Sequence, residues 1–144
     1  MSTAAGGDRS FARDKEIRFH HCDPAGIVFY PQYFVLFNEL VEDWFRLGLD
    51  LPFARLHGEL RLGVPMARVE CDFLAPSTMG ETLSFRLGVR RLGGSSMTLD
   101  VVARGPGDEV RIRATLTLVQ VSLDTRRPLP IEASLRQGIA RFVV

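Results

Sequence analysis

A strong excess of charge of one sign is absent from this chain. Across its 144 residues, 18 basic and 17 acidic side chains nearly cancel, leaving a formal net charge of +1. A near-neutral chain lacks the broad positive field that attracts nucleic acid or an anionic membrane, so we expect neither as a partner. Lysine occurs only at position 15, and the other basic residues are arginines, whose planar forks suit local phosphate recognition.

Cysteine and long apolar runs are also scarce. Cys22 and Cys71 are too few for a disulfide framework, which favours a reducing compartment. No stretch is long and apolar enough to cross a membrane, and the start, MSTAAGGDRS, lacks the apolar core of a signal peptide. These absences predict a cytoplasmic protein.

The chain does contain enough apolar material for one core. Hydrophobic residues make up 46% and charged residues 24% of it, which is ordinary for a globular protein. A length of 144 residues suits one domain rather than two. We expect a flexible tail at residues 1–10, which are small, polar and glycine-rich, and a single domain over residues 11–144.

The most informative stretch is HHCDPAGIVFYPQY, residues 20–33, because it combines a carboxylate, a tight turn and a helix start. Asp23 to Gly26, reading DPAG, suit a tight turn. Pro31 suits the first helical position, which places the backbone N–H groups of Tyr30 and the residues after it among the unpaired donors of the helix start. A carboxylate near donors that polarise a carbonyl indicates acyl transfer.

Hydrophobic periodicity predicts one long helix among five strands. Residues 31–47 are apolar nearly all round, which predicts a buried helix ended by Gly48. Strands are predicted at 11–19, 64–75, 81–91, 96–104 and 110–123, and short helices at 51–60 and 131–142. The order predicts an α+β fold in which a sheet of about five antiparallel strands, the last four in a meander, wraps the helix. Self-association would cover what one sheet leaves exposed.

The motif resembles that of the hotdog-fold acyl-CoA thioesterases, in particular the 4-hydroxybenzoyl-CoA thioesterase branch. The shared residues read CDPAGIVFYP at 22–31, with Tyr33 after them, and the similarity extends from Ile17 to Glu132. The resemblance implies a hotdog fold and hydrolysis of acyl- or aroyl-CoA without a metal or other cofactor. It also implies a site at a dimer interface in a homotetramer built as a dimer of dimers. By this resemblance Asp23 is the catalytic carboxylate, and the N–H of Tyr30 binds the thioester oxygen.

The same resemblance suggests substrate contacts. Arginines beside the Gly93–Gly94 turn and after the last strand would hold the CoA phosphates. The candidates are Arg90, Arg91, Arg126 and Arg127. Asn38 stands where the hydroxybenzoyl enzyme has an aspartate facing the substrate phenol, so the identity of the acyl group stays open.

Several of these side chains have a second, structural interpretation. Asp23 would also support an Asx turn, although its context before a buried helix favours catalysis. Phe53 either flanks the acyl pocket or packs in the core. Ser77 and Thr78 either line the site from the partner subunit or form a turn between strands. The two histidines that open the motif are either a proton carrier or a surface and packing pair.

Two other functions fit the sequence. A hotdog hydratase or dehydratase would need His20 or His21 as its active-site histidine, and would change a double bond without releasing thiol. A non-catalytic acyl-CoA binding module would bind tightly, turn nothing over and tolerate the loss of Asp23. For a hydrolase, a covalent anhydride route and a general-base route both stay open.

Overall fold

The computed structural model describes residues 9–144 and contains a five-stranded antiparallel sheet with one long helix. The elements in chain order are β1 (Phe11–Glu16), α1 (Pro31–Asp43), α2 (Phe53–Gly58), β2 (Leu62–Gly63), β3 (Met66–Phe73), β4 (Thr82–Leu92), β5 (Ser96–Arg104), β6 (Val110–Val119), β7 (Val121–Ser122) and α3 (Ala133–Ala140). A 3₁₀ turn (Phe19–His21) follows β1, and a π-helical turn (Trp44–Gly48) extends α1. The α+β hotdog architecture predicted from the sequence is confirmed. Apart from its last two residues, the predicted tail lies outside the described residues.

The strand order corrects one prediction. It runs β1-β4-β5-β6-β3, so only β4, β5 and β6 form a meander, and β3 pairs with β6 rather than with β4. The reason is that both sides of β4 are already paired. β1 pairs with one side, with Phe11 opposite Leu87, and β5 pairs with the other. The chain that leaves β1 therefore crosses the sheet as α1 and adds β3 to the free side of β6. As a result, β1 and β3 are the two edges of this sheet.

Three predicted strands were too long, including the one predicted at 64–75, which spans only Met66–Phe73. β1 ends at Glu16, because the next residues turn into the short 3₁₀ segment. β6 ends at Val119, where the N–H of Gln120 bonds to the carbonyl of Ser95 and the chain leaves the sheet. The short β7 that follows pairs with β2 in a separate two-stranded sheet.

The core lies between α1 and the inner face of the sheet. Large apolar residues alternate along the central strands, which predicts that they face inward. The structure confirms this, since these side chains are completely buried: Leu83, Phe85, Leu87, Val89, Met97, Leu99 and Val101. The helix contributes Leu36, Phe37 and Leu40, and the π-helical turn contributes Trp44 and Phe45. Gly48 is the last residue of that turn rather than the residue just after the helix, and a Cβ there would approach the Trp44 ring to 2.8 Å.

One side of α1 remains exposed, which corrects the prediction of a helix buried all round. Phe34 and Val35 retain 37% and 43% of their accessible surface in the single chain. The physical reason is that one sheet covers only one face of a helix. Asn38 and Glu42 continue the same exposed side.

The turn before α1 depends on the backbone of Gly26. Its N–H donates to the carbonyl of Asp23 at 2.9 Å, and its φ is +80°, the left-handed region. We expect Gly26→Ala to lower the free energy of unfolding by about 1–2 kcal/mol, because a Cβ disfavours this conformation. A steric clash will not contribute, since nothing lies within 4 Å of the position of that Cβ.

Urea denaturation measures the change, and Gly58→Ala is the matched control. Gly58 also has nothing within 4 Å of its Cβ position, but it ends α2 without a left-handed φ. Equal losses of stability in both variants would contradict the backbone explanation.

Candidate active site

The Asp23 carboxylate is fixed by the turn that it begins. The N–H of Ala25 donates to its Oδ1 at 2.9 Å, so the predicted Asx turn is present. Its Oδ2 has no hydrogen-bond partner among the described residues, and the side chain is half-buried. The turn therefore orients the carboxylate and leaves one oxygen available. The structural and catalytic interpretations are compatible.

The segment after the turn is extended and docks on the loop between β3 and β4. The N–H of Val28 donates to the carbonyl of Ser77 at 2.9 Å, and Ile27 forms a bridge with Thr78. The N–H of Met79 reaches the carbonyl of Gly26. These backbone bonds bring the Ser77 loop and the Asp23 turn together within one chain, whereas one interpretation of the sequence was that Ser77 and Thr78 reach the site from the partner subunit.

The start of α1 has fewer free amides than the sequence predicted. The N–H groups of Gln32 and Tyr33 donate to the carbonyls of Phe29 and Tyr30, at 2.8 and 3.1 Å. These are the short i→i+3 bonds that commonly tighten a helix end. The N–H of Tyr30 donates to no described residue. Tyr30 is therefore the first-turn amide that is free to bind a ligand oxygen.

A cavity of about 270 Å³ lies beside this amide. Its walls are Ile27, Val28, Tyr30, Tyr33, Phe73, Leu74, Ala75, Pro76 and Ser77. The Phe73 ring centroid lies 6.0 Å from that of Tyr30 and 5.8 Å from that of Tyr33, so aromatic rings dominate one side. Asp23 is outside the lining, at the other end of the extended segment that leads to Tyr30.

A buried arginine supports the cavity wall, and the sequence analysis missed it. The alternation of β6 predicts that Arg111 points outward with Arg113, yet only 7% of Arg111 is exposed. Its Nη1 donates to Ser77 Oγ at 2.9 Å and to the carbonyl of Pro76 at 3.0 Å, and both terminal nitrogens donate to Glu81. Its Nε donates to Glu109. The only sequence signal was a glutamate in each of the two adjoining turns.

Electrostatics fix the charge state of this cluster. Hydrogen bonds from the Arg111 side chain and the Thr78 backbone lower the pKa of Glu81 to about 2. The Glu81 bond in turn raises the pKa of Arg111, and burial raises the pKa of Tyr33. At neutral pH the cluster therefore holds an ion pair and a neutral phenol.

Two other groups near the motif are neutral. Burial, and then the neighbouring His20, lower the pKa of His21, and its Nδ1 accepts the N–H of Arg18 at 2.8 Å. Its single proton therefore lies on Nε2. Burial also raises the pKa of Cys71 to about 11, so this thiol stays protonated and is a poor nucleophile.

Glu81 makes stability pH-dependent. Its folded pKa lies below its ordinary value, so its contribution is complete above about pH 4.5 and is lost as the pH falls towards 2. We expect Glu81→Gln to have a lower free energy of unfolding than the wild type at neutral pH. This difference should disappear as the pH is lowered. Urea denaturation between about pH 2.5 and 7 measures this, with exposed Glu59→Gln as the control. If the difference in stability between the wild type and Glu81→Gln stays constant with pH, the lowered pKa of Glu81 is contradicted.

Three other predicted contacts lie apart from the cavity. The Thr78 hydroxyl donates to Glu81 at 3.1 Å and so belongs to the loop. Asn38 is exposed on α1, about 12 Å along the helix from Tyr30. Phe53 packs its ring 5.4 Å from that of Phe45, about 22 Å along the helix. Within one chain, Asn38 and Phe53 thus lie well away from the Tyr30 amide.

The four predicted phosphate-binding arginines lie at the far end of the sheet. Arg90 and Arg91 are near the end of β4, about 26–30 Å from its start beside the Ser77 loop. Arg126 and Arg127 follow β7 at the same end and are exposed.

Arg90 already has an acidic partner. It bonds to Asp100 at 2.6 Å, in a cleft of about 470 Å³ on the outer sheet face. The charged groups lining this cleft are Glu70, Asp72, Arg90, Asp100 and Arg113. Three carboxylates against two guanidinium groups disfavour a phosphate there.

Residues 9–144 lack both a cluster of metal ligands and a membrane-spanning helix. They contain no group of three or more histidine, cysteine, aspartate or glutamate residues placed to hold a metal ion. None of the helices within that range is both long and apolar enough to cross a lipid bilayer.

The sheet wrapped on a single helix places this chain among the hotdog proteins, and the free helix-start amide beside an apolar cavity suits polarisation of a carbonyl. Comparison with known families gives the narrower assignment. A family model described as the thioesterase-like superfamily matches residues 17–139. The chain therefore belongs to that superfamily and is a thioester hydrolase.

Similar proteins span nearly the same length. A 1,4-dihydroxy-2-naphthoyl-CoA hydrolase of Acaryochloris marina is 22% identical over 130 residues, covering 89% of this chain and 94% of the relative. A solved gentisyl-coenzyme A thioesterase is 25% identical with a TM-score of 0.79, covering 88% of this chain and 99% of its own. A third similar structure is a 4-hydroxybenzoyl-CoA thioesterase variant that has asparagine in place of an aspartate and 4-hydroxybenzoyl-CoA bound. It is 21% identical with a TM-score of 0.83, and the match covers 91% of this chain and 99% of the variant.

Proposed function

We propose that this enzyme hydrolyses aroyl- or acyl-CoA thioesters to the free acid and CoA. The observation that carries the proposal is the unpaired N–H of Tyr30, at the mouth of an aromatic cavity and on the segment that begins at Asp23. The names of the three relatives support a CoA thioester, and each relative acts on or binds a hydroxylated aromatic acyl group. We therefore favour an aroyl group.

In the proposed mechanism the thioester oxygen accepts the N–H of Tyr30 while Asp23 acts on the carbonyl carbon. A single oxyanion donor is typically worth about 2.7–4 kcal/mol of barrier, whereas a helix dipole contributes only about 0.3–1 kcal/mol at an exposed site. The position of the amide therefore matters more than the dipole. The CoA thiolate leaves without needing a strong acid.

Two chemical routes share this geometry. In the covalent route, an Asp23 oxygen bonds to the carbonyl carbon, the C–S bond breaks, and water then hydrolyses the mixed anhydride. In the general-base route, Asp23 takes a proton from water as that water attacks. Incorporation of ¹⁸O from labelled water into Asp23 during a single turnover would identify the covalent route in which water attacks the Asp23 carbonyl carbon of the anhydride, because the general-base route leaves Asp23 unlabelled.

We further propose that the working site lies between two chains of a dimer, and that dimers pair into a tetramer. Three features support this: β3 is a free sheet edge, the outer side of α1 is uncovered, and the phosphate-binding candidates lie far from Asp23 within one chain. Exposed apolar side chains surround the cavity mouth and that side of α1: Phe29, Tyr30, Phe34, Val35, Phe73, Leu74 and Met79.

A charge on the uncovered side of α1 tests the assembly. We expect Val35→Glu to weaken self-association and to lower turnover with it, because a buried unpaired carboxylate is costly. Sedimentation velocity over a concentration series measures the assembly. Leu60→Glu is the control, since Leu60 has the same exposed fraction of 43% but lies beyond α2. Unchanged sedimentation of both variants would contradict an interface there.

The reaction is tested with a panel of CoA thioesters. Release of free thiol from an aroyl-CoA supports hydrolysis. A change in an acyl double bond without thiol release would instead favour the hydratase or dehydratase alternative. Tight binding of every thioester with no change in any would favour a binding module.

A further inference from the structure

Two side-chain hydroxyls meet at the buried wall of the cavity. The Tyr33 phenol oxygen lies 3.1 Å from Ser77 Oγ, and the two residues are only 4% and 1% exposed. Both residues line the cavity. Buried hydroxyls normally use all their hydrogens in hydrogen bonds, so each hydrogen of this pair needs an acceptor.

One hydroxyl hydrogen of the Tyr33–Ser77 pair has no hydrogen-bond acceptor within the part of the chain that the structure describes. Each hydroxyl has one hydrogen and two lone pairs, and a guanidinium group has only donors. The bond from Arg111 to Ser77 Oγ therefore uses a lone pair of Ser77 and no hydroxyl hydrogen. One hydroxyl hydrogen forms the bond between Tyr33 and Ser77, in whichever direction it runs. The other hydrogen has no acceptor among the described residues.

The cavity fits an aromatic ring next to this donor. An apolar cavity of about 150 Å³ already holds benzene, so 270 Å³ leaves room for one ring with substituents. The rings of Tyr30, Tyr33 and Phe73 offer the edge and face contacts that aromatic groups prefer. An unsubstituted ring would displace water and leave the hydroxyl hydrogen buried without a partner, which is unfavourable.

We propose that the Tyr33–Ser77 pair is a specificity determinant that donates its free hydrogen to an oxygen substituent on the substrate ring. Such a site selects hydroxyaroyl groups over the unsubstituted aroyl group. Arg111 is a positioning residue, since its bond to Ser77 orients the pair. The inference rests on the proposed function only in taking the cavity as the acyl pocket.

Binding of thioether analogues tests the inference without any hydrolysis. The probes are phenacyl-CoA and its 2-, 3- and 4-hydroxy derivatives, titrated calorimetrically into the wild-type protein. We expect one hydroxy isomer to bind about tenfold more tightly than phenacyl-CoA. In the Tyr33→Phe/Ser77→Ala double variant this ratio should fall to about one. Equal affinities for all four probes in the wild type, or no binding of any, would overturn the inference.

Arg111 gives a second readout. At a temperature where the variant is folded, Arg111→Met should reduce the preference for the hydroxy isomer over phenacyl-CoA at least threefold. Arg113→Met, two residues along β6 and exposed, is the matched control and should keep the full preference. A preference retained in the double variant, or in both single variants Tyr33→Phe and Ser77→Ala if the double variant fails to fold, refutes the role of the pair. Failure of the wild type to hydrolyse aroyl-CoA refutes only the proposed reaction.

Discussion

Asp23→Asn will lower kcat for aroyl-CoA hydrolysis by at least about 100-fold, with little change in KM. Positioned general bases typically contribute about 10²–10⁴-fold, and loss of a nucleophile costs no less. The asparagine oxygen can still accept the Ala25 N–H that now bonds to Oδ1 at 2.9 Å, so the turn will remain. The amide has neither the charge nor the basicity of the carboxylate.

Steady-state kinetics and circular dichroism together check this result. Asp14→Asn makes the same charge change at an exposed position of β1 and should retain full activity. If the Asp23 variant keeps full turnover, Asp23 has no role in the mechanism. The free amide of Tyr30 would then need another explanation. Loss of activity together with loss of fold would contradict the expected survival of the turn.

Arg111→Met will cause the largest loss of stability among the changes considered, about 2–4 kcal/mol. Removing one member of a buried, hydrogen-bonded charge pair leaves the other uncompensated. In this protein Glu81 would lose both of its guanidinium bonds, and Ser77 would lose a donor. Glu81 is partly open to solvent, which keeps the loss near the lower end of values for fully buried pairs.

Urea denaturation at a fixed protein concentration measures the loss. Arg113→Met supplies the control, because a surface substitution on the same strand usually changes stability by no more than about 0.5 kcal/mol. If the two variants unfold at the same urea concentration, the Arg111 cluster does not hold the loop in place.

The sequence predicted the elements better than their arrangement. Alternation along β4 and β5 identified the large inward residues but not Ala103, which is also completely buried. It succeeds there because each side of those strands faces one environment throughout. Alternation carries no information on which neighbour a strand takes, so the pairing of β3 with β6 was missed. Partner choice depends on which edges the earlier strands leave free.

The sequence predicted the local features of the candidate site but not those that depend on tertiary contacts. The turn and the helix start follow from the local preferences of DPAG and Pro31, and the structure has both. That Tyr30 keeps a free amide while Gln32 does not depends on short bonds within the first turn. The burial of Arg111 depends on the loop before β4 covering it but not Arg113, a tertiary effect that the repeating pattern of β6 cannot convey.

The backbone bonds between the Gly26–Val28 segment and the Ser77–Met79 loop have an evolutionary consequence. Because they fix the carboxylate and the pocket wall in one register, inserting or deleting a residue in either segment would misalign the two. Descendants of this chain would therefore change acyl preference by altering side-chain bulk at Phe73 or Leu74, while both segments keep their length.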